Sequence, residues 1–109
     1  MMIAANNYLQ IEERYKAALR EHAAFKPEEG KLNTVGLQLV FNRQSSQHGI
    51  NVLIFATKLY PLSANLFDSL GEAYLYVGDK KMAKLNFKKS LELFAENGNA
   101  KHRLKALKQ

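Results

Sequence analysis

The stretch FDSLGEAYLYVGDKKMAKLNFKKSLELFA, residues 67–95, decides the fold of this 109-residue chain. Its first half repeats apolar side chains every three or four residues, a spacing that places them on one face of an α-helix: Phe67, Leu70, Tyr74 and Val77. Its second half carries another helical stripe: Met82, Ala83, Leu85, Phe87, Ser90, Leu91 and Phe94. The stretch therefore predicts two antiparallel helices joined by a short turn.

Glycine and small polar residues mark the ends of these two helices. Gly78 is expected to adopt the left-handed conformation that ends the first helix, and Asp79 to cap the start of the second. Ser63 is expected to cap the first helix. Because Gly71 and Ala83 are small, we expect the two helix axes to cross closely there.

A weaker copy of the same pattern occupies residues 30–61. The apolar and glycine positions of its first helix match residues 67–74 at an offset of 35, and those of its second helix match residues 83–95 at an offset of 34. The first copy therefore has one extra residue in the turn at 42–47, which also lacks a Gly-Asp pair. An insertion in the turn that leaves both helix faces in phase is typical of a true repeat.

Two further helices are predicted to flank the repeats. Residues 7–24 are amphipathic and are expected to form an N-terminal packing helix, and residues 99–108 a C-terminal capping helix. Together with the degenerate repeat at 30–61 and the main repeat at 64–97, they predict one all-α domain of about six helices.

This spacing resembles the tetratricopeptide repeat, a helix–turn–helix unit of about 34 residues. From about Tyr15 onward, and most specifically in YPLSANLFDSLGEAY at 60–74, the chain is similar to the C-terminal repeat tail of bacterial serine hydrolases of the β-lactamase-like and esterase-like kinds. The resemblance implies a right-handed α-α superhelix with two helix pairs, capping helices at the ends, and a scaffold role in protein binding. No Ser-x-x-Lys or Gly-x-Ser-x-Gly motif occurs, so the expectation is a tail without its catalytic domain.

The resemblance also implies a binding surface, because the first helix of each tetratricopeptide unit lines a concave groove for a peptide or protein segment. By register the groove positions are Asn33, Leu37, Val40, Phe41, Asn65, Asp68, Glu72, Leu75 and Tyr76. Asp68 and Glu72 place negative charge among apolar groups, so a basic or amphipathic segment is the expected partner.

An uneven charge distribution supports a second hypothesis. Residues 1–79 carry a net charge of −1 and residues 80–109 a net charge of +7. The alternative function is therefore binding of nucleic acid or an acidic partner through a basic face: Lys80, Lys81, Lys84, Lys88, Lys101 and Arg103. Since no aromatic side chain interleaves with these lysines on the same helix face, a solvated face is the preferred interpretation and nucleic acid is not the expected partner. Structural self-association into a homo-oligomer, or docking to an enzyme, is a third alternative.

No residue pattern predicts catalysis or a cofactor. The absence of cysteine excludes disulfides, thiolate zinc sites and a cysteine nucleophile. The histidines, His22, His48 and His102, lack a second ligand at metal-binding spacing. The N-terminus has no signal-peptide pattern, and the longest apolar run is far shorter than a membrane span. We therefore expect a non-enzymatic, cytoplasmic protein without cofactors.

Overall fold

The computed structural model describes residues 27–108, and this part of the chain is helical without any strand. Its five helices, numbered here in chain order, are α1 (Glu29–Val40), α2 (Ser46–Leu59), α3 (Ala64–Tyr76), α4 (Lys80–Leu93) and α5 (Gly98–Leu107). The prediction of an all-α structure is confirmed for these residues. The helix predicted at residues 7–24 lies outside them.

Side-chain caps define where three of the helices begin. The Ser63 hydroxyl, the Asp79 carboxylate and the Asn97 amide oxygen each accept a hydrogen bond, of 3.1–3.2 Å, from the backbone N–H three residues ahead. Gly78, with a φ of +88°, follows α3 in the left-handed conformation that was predicted for it. Local signals in the sequence therefore located the start of α3 and both ends of the turn between α3 and α4.

The turn between α1 and α2 is built differently, because it contains no glycine in the left-handed conformation. The Ser45 hydroxyl donates to the carbonyl oxygen of Leu39 at 2.8 Å, and the Ser46 hydroxyl donates to that of Val40. Both serines are buried. They satisfy carbonyl groups that the end of a helix leaves without intrahelical partners. Since α2 begins at Ser46, the turn spans residues 41–45 and is shorter than the predicted turn at 42–47.

Each short turn joins an antiparallel pair, α1 with α2 and α3 with α4, and these pairs make the most extensive contacts between helices. The first helices of the two pairs run parallel to each other. Three side-chain contacts join them in order along both helices: Glu29 with Ser63, Asn33 with Ser69, and Phe41 with Tyr76. The partners in these contacts are 34–36 residues apart in sequence, which is the period of the repeat.

Both pairs cross closely at glycine. A Cβ atom at Gly49 would lie 2.5 Å from the Gly36 carbonyl oxygen and 2.5 Å from the Val40 nitrogen, so backbone meets backbone in the first pair. In the second pair a Cβ at Gly71 would lie 2.6 Å from the ring of Phe87. The close crossing predicted at Gly71 is therefore present, with the Phe87 ring lying across it.

The core runs continuously through the first three helices and then narrows. Its larger cluster contains Leu32, Val40, Ile50, Val52, Leu53, Ala56, Leu66, Leu70 and Ala73. A smaller cluster joins α4 to α5 through Ala83, Phe87 and Ala100. Leu85 and Phe94 belonged to the predicted stripe of α4 but are 52% and 53% exposed, because only a narrow face of α4 meets other described helices. No helix among residues 27–108 is long and apolar enough to span a membrane.

Candidate interaction surface

The predicted groove residues lie on α1, on α3 or, in the case of Phe41, directly after α1. They differ in how deeply they are buried and in the contacts that their side chains make. Val40 is fully buried in the core, so its side chain is not accessible to a partner. Asn33 is half-buried and accepts a hydrogen bond from the Ser69 hydroxyl, so it links the two helices. Asn65 is exposed, and Leu37 and Leu75 are half-buried at the edges of the core clusters.

The C-terminal ends of α1 and α3 bring two of the predicted groove residues into direct contact. The rings of Phe41 and Tyr76 meet edge to face, with their centroids 5.2 Å apart and an interplanar angle of 84°. Phe41 is 53% exposed, Tyr76 is 43% exposed and the adjoining Val77 is 45% exposed. We refer to Phe41, Tyr76 and Val77 as the aromatic cluster.

A shallow depression of about 370 Å³ adjoins the aromatic cluster. Arg43, Ser46, Tyr76 and Val77 line it, so the turn after α1 forms one wall and the end of α3 the other. The Arg43 side chain is exposed and forms no ion pair with any carboxylate in the described part of the chain. Sequence reasoning missed Arg43 and Val77. The extra residue in the first turn was the signal that could have drawn attention to Arg43.

The two acidic groove residues are already bound by the C-terminal part of the chain. The amide nitrogens of Asn97 and Asn99 donate to the two carboxylate oxygens of Asp68, at 3.1 and 2.7 Å. Asn99 also donates to Glu72 at 3.0 Å, and the Arg103 guanidinium pairs with the same Glu72 oxygen at 2.8 Å. We refer to these five residues as the acid clamp; it holds α5 parallel to α3.

The acid clamp changes what the predicted groove can recognise. Asp68 and Glu72 were expected to attract a basic partner, but their oxygens accept hydrogen bonds from α5 and its cap. A sequence signal for this contact existed, since Asp68 and Glu72 are four residues apart and so are Asn99 and Arg103. Two matched pairs at this spacing can meet when two helices pack in parallel.

The residues of the predicted basic face also differ in their exposure and in whether they form ion pairs. Lys80, Lys81, Lys88 and Lys101 are exposed, Lys84 is half-buried, and none forms an ion pair within residues 27–108. Arg103 differs from these lysines because its guanidinium is bound to Glu72. Four lysines on α4 therefore remain without an ion pair in the described part of the chain: Lys80, Lys81, Lys84 and Lys88.

A half-buried tyrosine lies beside the turn that joins α3 to α4. Burial of the ring raises the pKa of Tyr74 above its ordinary value of 10.0, and the carboxylate of Asp79 raises it further. Both causes favour the neutral phenol, so this tyrosine has a packing role that high pH opposes.

The described residues offer no cluster of three or more His, Asp or Glu side chains placed to hold a metal ion.

The sequence was also compared with known proteins. No family model and no curated protein matches it.

Proposed function

We propose that this chain is a non-catalytic protein-binding module of the tetratricopeptide type, and that it binds a peptide or protein segment beside the aromatic cluster. The repeat is supported by three-dimensional contacts as well as by spacing. The parallel contacts between α1 and α3 join residues one repeat period apart, and each pair crosses at a glycine. On this proposal α1, α3 and α5 form one layer of a right-handed superhelix, and α2 and α4 form the other.

The aromatic cluster is the observation that carries the binding role. Phe41, Tyr76 and Val77 are each more than two-fifths exposed, although they lie next to one another on the surface. Exposed apolar patches bordered by polar groups mark interaction sites, and aromatic side chains supply much of the binding energy at such sites. The adjoining depression is open to solvent, which suits side chains of a bound segment better than an enclosed small molecule.

The resemblance to the repeat tails of bacterial serine hydrolases suggests where such a module acts. As a tail it would hold a partner near an enzyme, and as a free chain it would act as a cytoplasmic adaptor. Both roles need the same surface and no catalytic residue of this chain.

A displayed library of random peptides, selected on the purified protein, tests the binding role. We expect enriched peptides to lose affinity about tenfold or more for Phe41→Ala and for Tyr76→Ala, because truncating an aromatic anchor commonly costs more than 1 kcal/mol. Leu62→Ala is the matched control, since Leu62 is 81% exposed and lies in the turn before α3. Selection of no peptide, or equal losses in all three folded variants, would contradict the proposal.

A second candidate function rests on the lysine stripe of α4. Lys80, Lys81, Lys84 and Lys88 have no acidic partner among residues 27–108, so they can attract a polyanion. Binding to a heparin column should then weaken steeply with salt. If the parent chain elutes at low salt, and Lys84→Gln elutes at the same salt concentration, polyanion binding is not a function of this stripe.

A further inference from the structure

The charges around the aromatic cluster differ from those that the sequence suggested. The carboxylates of Asp68 and Glu72 are held by the acid clamp, and Arg103 neutralises Glu72. Arg43 remains in the wall of the depression, exposed and without an ion pair to any described carboxylate. Arg43 is therefore the charged side chain that lines the depression, and no carboxylate lines it.

The charged residues that follow Val77 in sequence are also positive on balance. The carboxylate of Asp79, two residues after Val77, already accepts a hydrogen bond from the Met82 amide at the start of α4. Lys80 and Lys81 follow it directly, are exposed, and outnumber it. Residues 78–81, which directly follow Val77, therefore carry a net charge of +1.

From this arrangement we infer that the partner is a peptide segment in which an aspartate or glutamate lies close to an aromatic or large aliphatic side chain. The apolar side chain packs on Phe41 and Tyr76, and the carboxylate pairs with the Arg43 guanidinium. Arginine suits this task because its planar group binds a carboxylate through two parallel hydrogen bonds. The inference rests on the proposed function, since it names the chemistry of the partner for the same surface.

A peptide array provides the probes for a test. Three sets of synthetic peptides would share random positions drawn from Leu, Phe, Tyr, Gly and Ser, and would differ in a charged or polar residue at fixed positions. That residue is Asp or Glu in the acidic set, Lys or Arg in the basic set, and Asn or Gln in the neutral set. The full chain, labelled and folded, should bind the acidic set in preference to the other two.

Single peptides from the acidic set would then be titrated against variants of the chain. Arg43→Gln should weaken binding by about five- to tenfold, because a charge-assisted contact is lost. Lys58→Gln is the matched control: it removes the same charge from an exposed side chain at the end of α2 that lies away from the turn of Arg43, and should change the affinity by less than about twofold. Arg43 lies in an exposed turn, and unchanged thermal unfolding of Arg43→Gln would show that its fold is intact.

Each outcome bears on one of the two proposals. If no set binds, the proposed function fails and the inference fails with it. If binding depends on Phe41 and Tyr76 but is the same for all three sets, or is tightest for the basic set, the binding role stands and the inference is overturned. Equal losses in Arg43→Gln and Lys58→Gln would show attraction by net charge alone, which also overturns it.

Discussion

Replacing Gly49 by alanine tests whether α1 and α2 are held at backbone contact. The new methyl group would lie 2.5 Å from the Gly36 carbonyl oxygen and the Val40 nitrogen, whereas ordinary contact begins at 3.4 Å. Neither backbone atom can rotate away, so the two helices must move apart by about 0.9 Å and loosen the core that they share. Overpacking costs about 1–3 kcal/mol, and a clash with backbone atoms belongs at the upper end of that range, whereas alanine returns about 1 kcal/mol in helix propensity.

We therefore expect Gly49→Ala to lower the free energy of unfolding by about 2 kcal/mol, with a fall in Tm of roughly 10 °C. Gly30→Ala is the matched control, because it makes the same chemical change in α1 at a position with no atom within 4 Å. This control should gain about 0.5 kcal/mol. Urea unfolding followed by circular dichroism measures both. A Gly49→Ala protein as stable as the parent chain would refute the close crossing, and so would equal losses in the two variants.

Three further predictions concern other contacts in the structure. Ser46→Ala should lower the free energy of unfolding by about 1–2 kcal/mol, because the Val40 carbonyl loses a buried donor; a loss below about 0.3 kcal/mol in urea unfolding would speak against this role. A double-mutant cycle on Glu72 and Arg103 should give a coupling of about 0.5–1 kcal/mol that shrinks with added salt, since both side chains are partly exposed; a salt-independent coupling would contradict this picture. The raised pKa of Tyr74 predicts stability that is complete below pH 10 and declines as the pH rises through the folded-state pKa, because the unfolded chain then binds fewer protons. Tyr74→Phe should remove that part of the decline above pH 10, and parallel pH profiles for the two proteins would count against it.

Local signals in the sequence were sufficient for the second helix pair. Gly78, Asp79 and Ser63 each act within a few residues of their own position, and each behaves as predicted. The first turn was predicted near its observed place, but its hydrogen bonds by Ser45 and Ser46 were not, because serine has no unique meaning in a turn.

The candidate site was predictable only in part, since it depends on contacts between distant residues. The repeat register brought Phe41 and Tyr76 to one surface, and they do touch. The same register could not show that Asp68 and Glu72 are bound by residues about 30 positions later, because the matched positions of the two copies end before α5 begins. The charge beside the aromatic cluster was therefore expected to be negative. In the structure, the charged side chain that lines the adjoining depression is Arg43, which is positive.

The acid clamp has a consequence for competition among ligands. Only residues 94–97 join α5 to α4, so Asn99 and Arg103 are held near Asp68 and Glu72 at an effective concentration on the order of millimolar or higher. A free basic segment can bind these carboxylates only by displacing Asn99 and Arg103. A segment of low affinity will not displace them. On the proposed function, the chain would therefore disfavour basic segments at Asp68 and Glu72, because its own residues occupy them, while the surface beside Arg43 stays exposed.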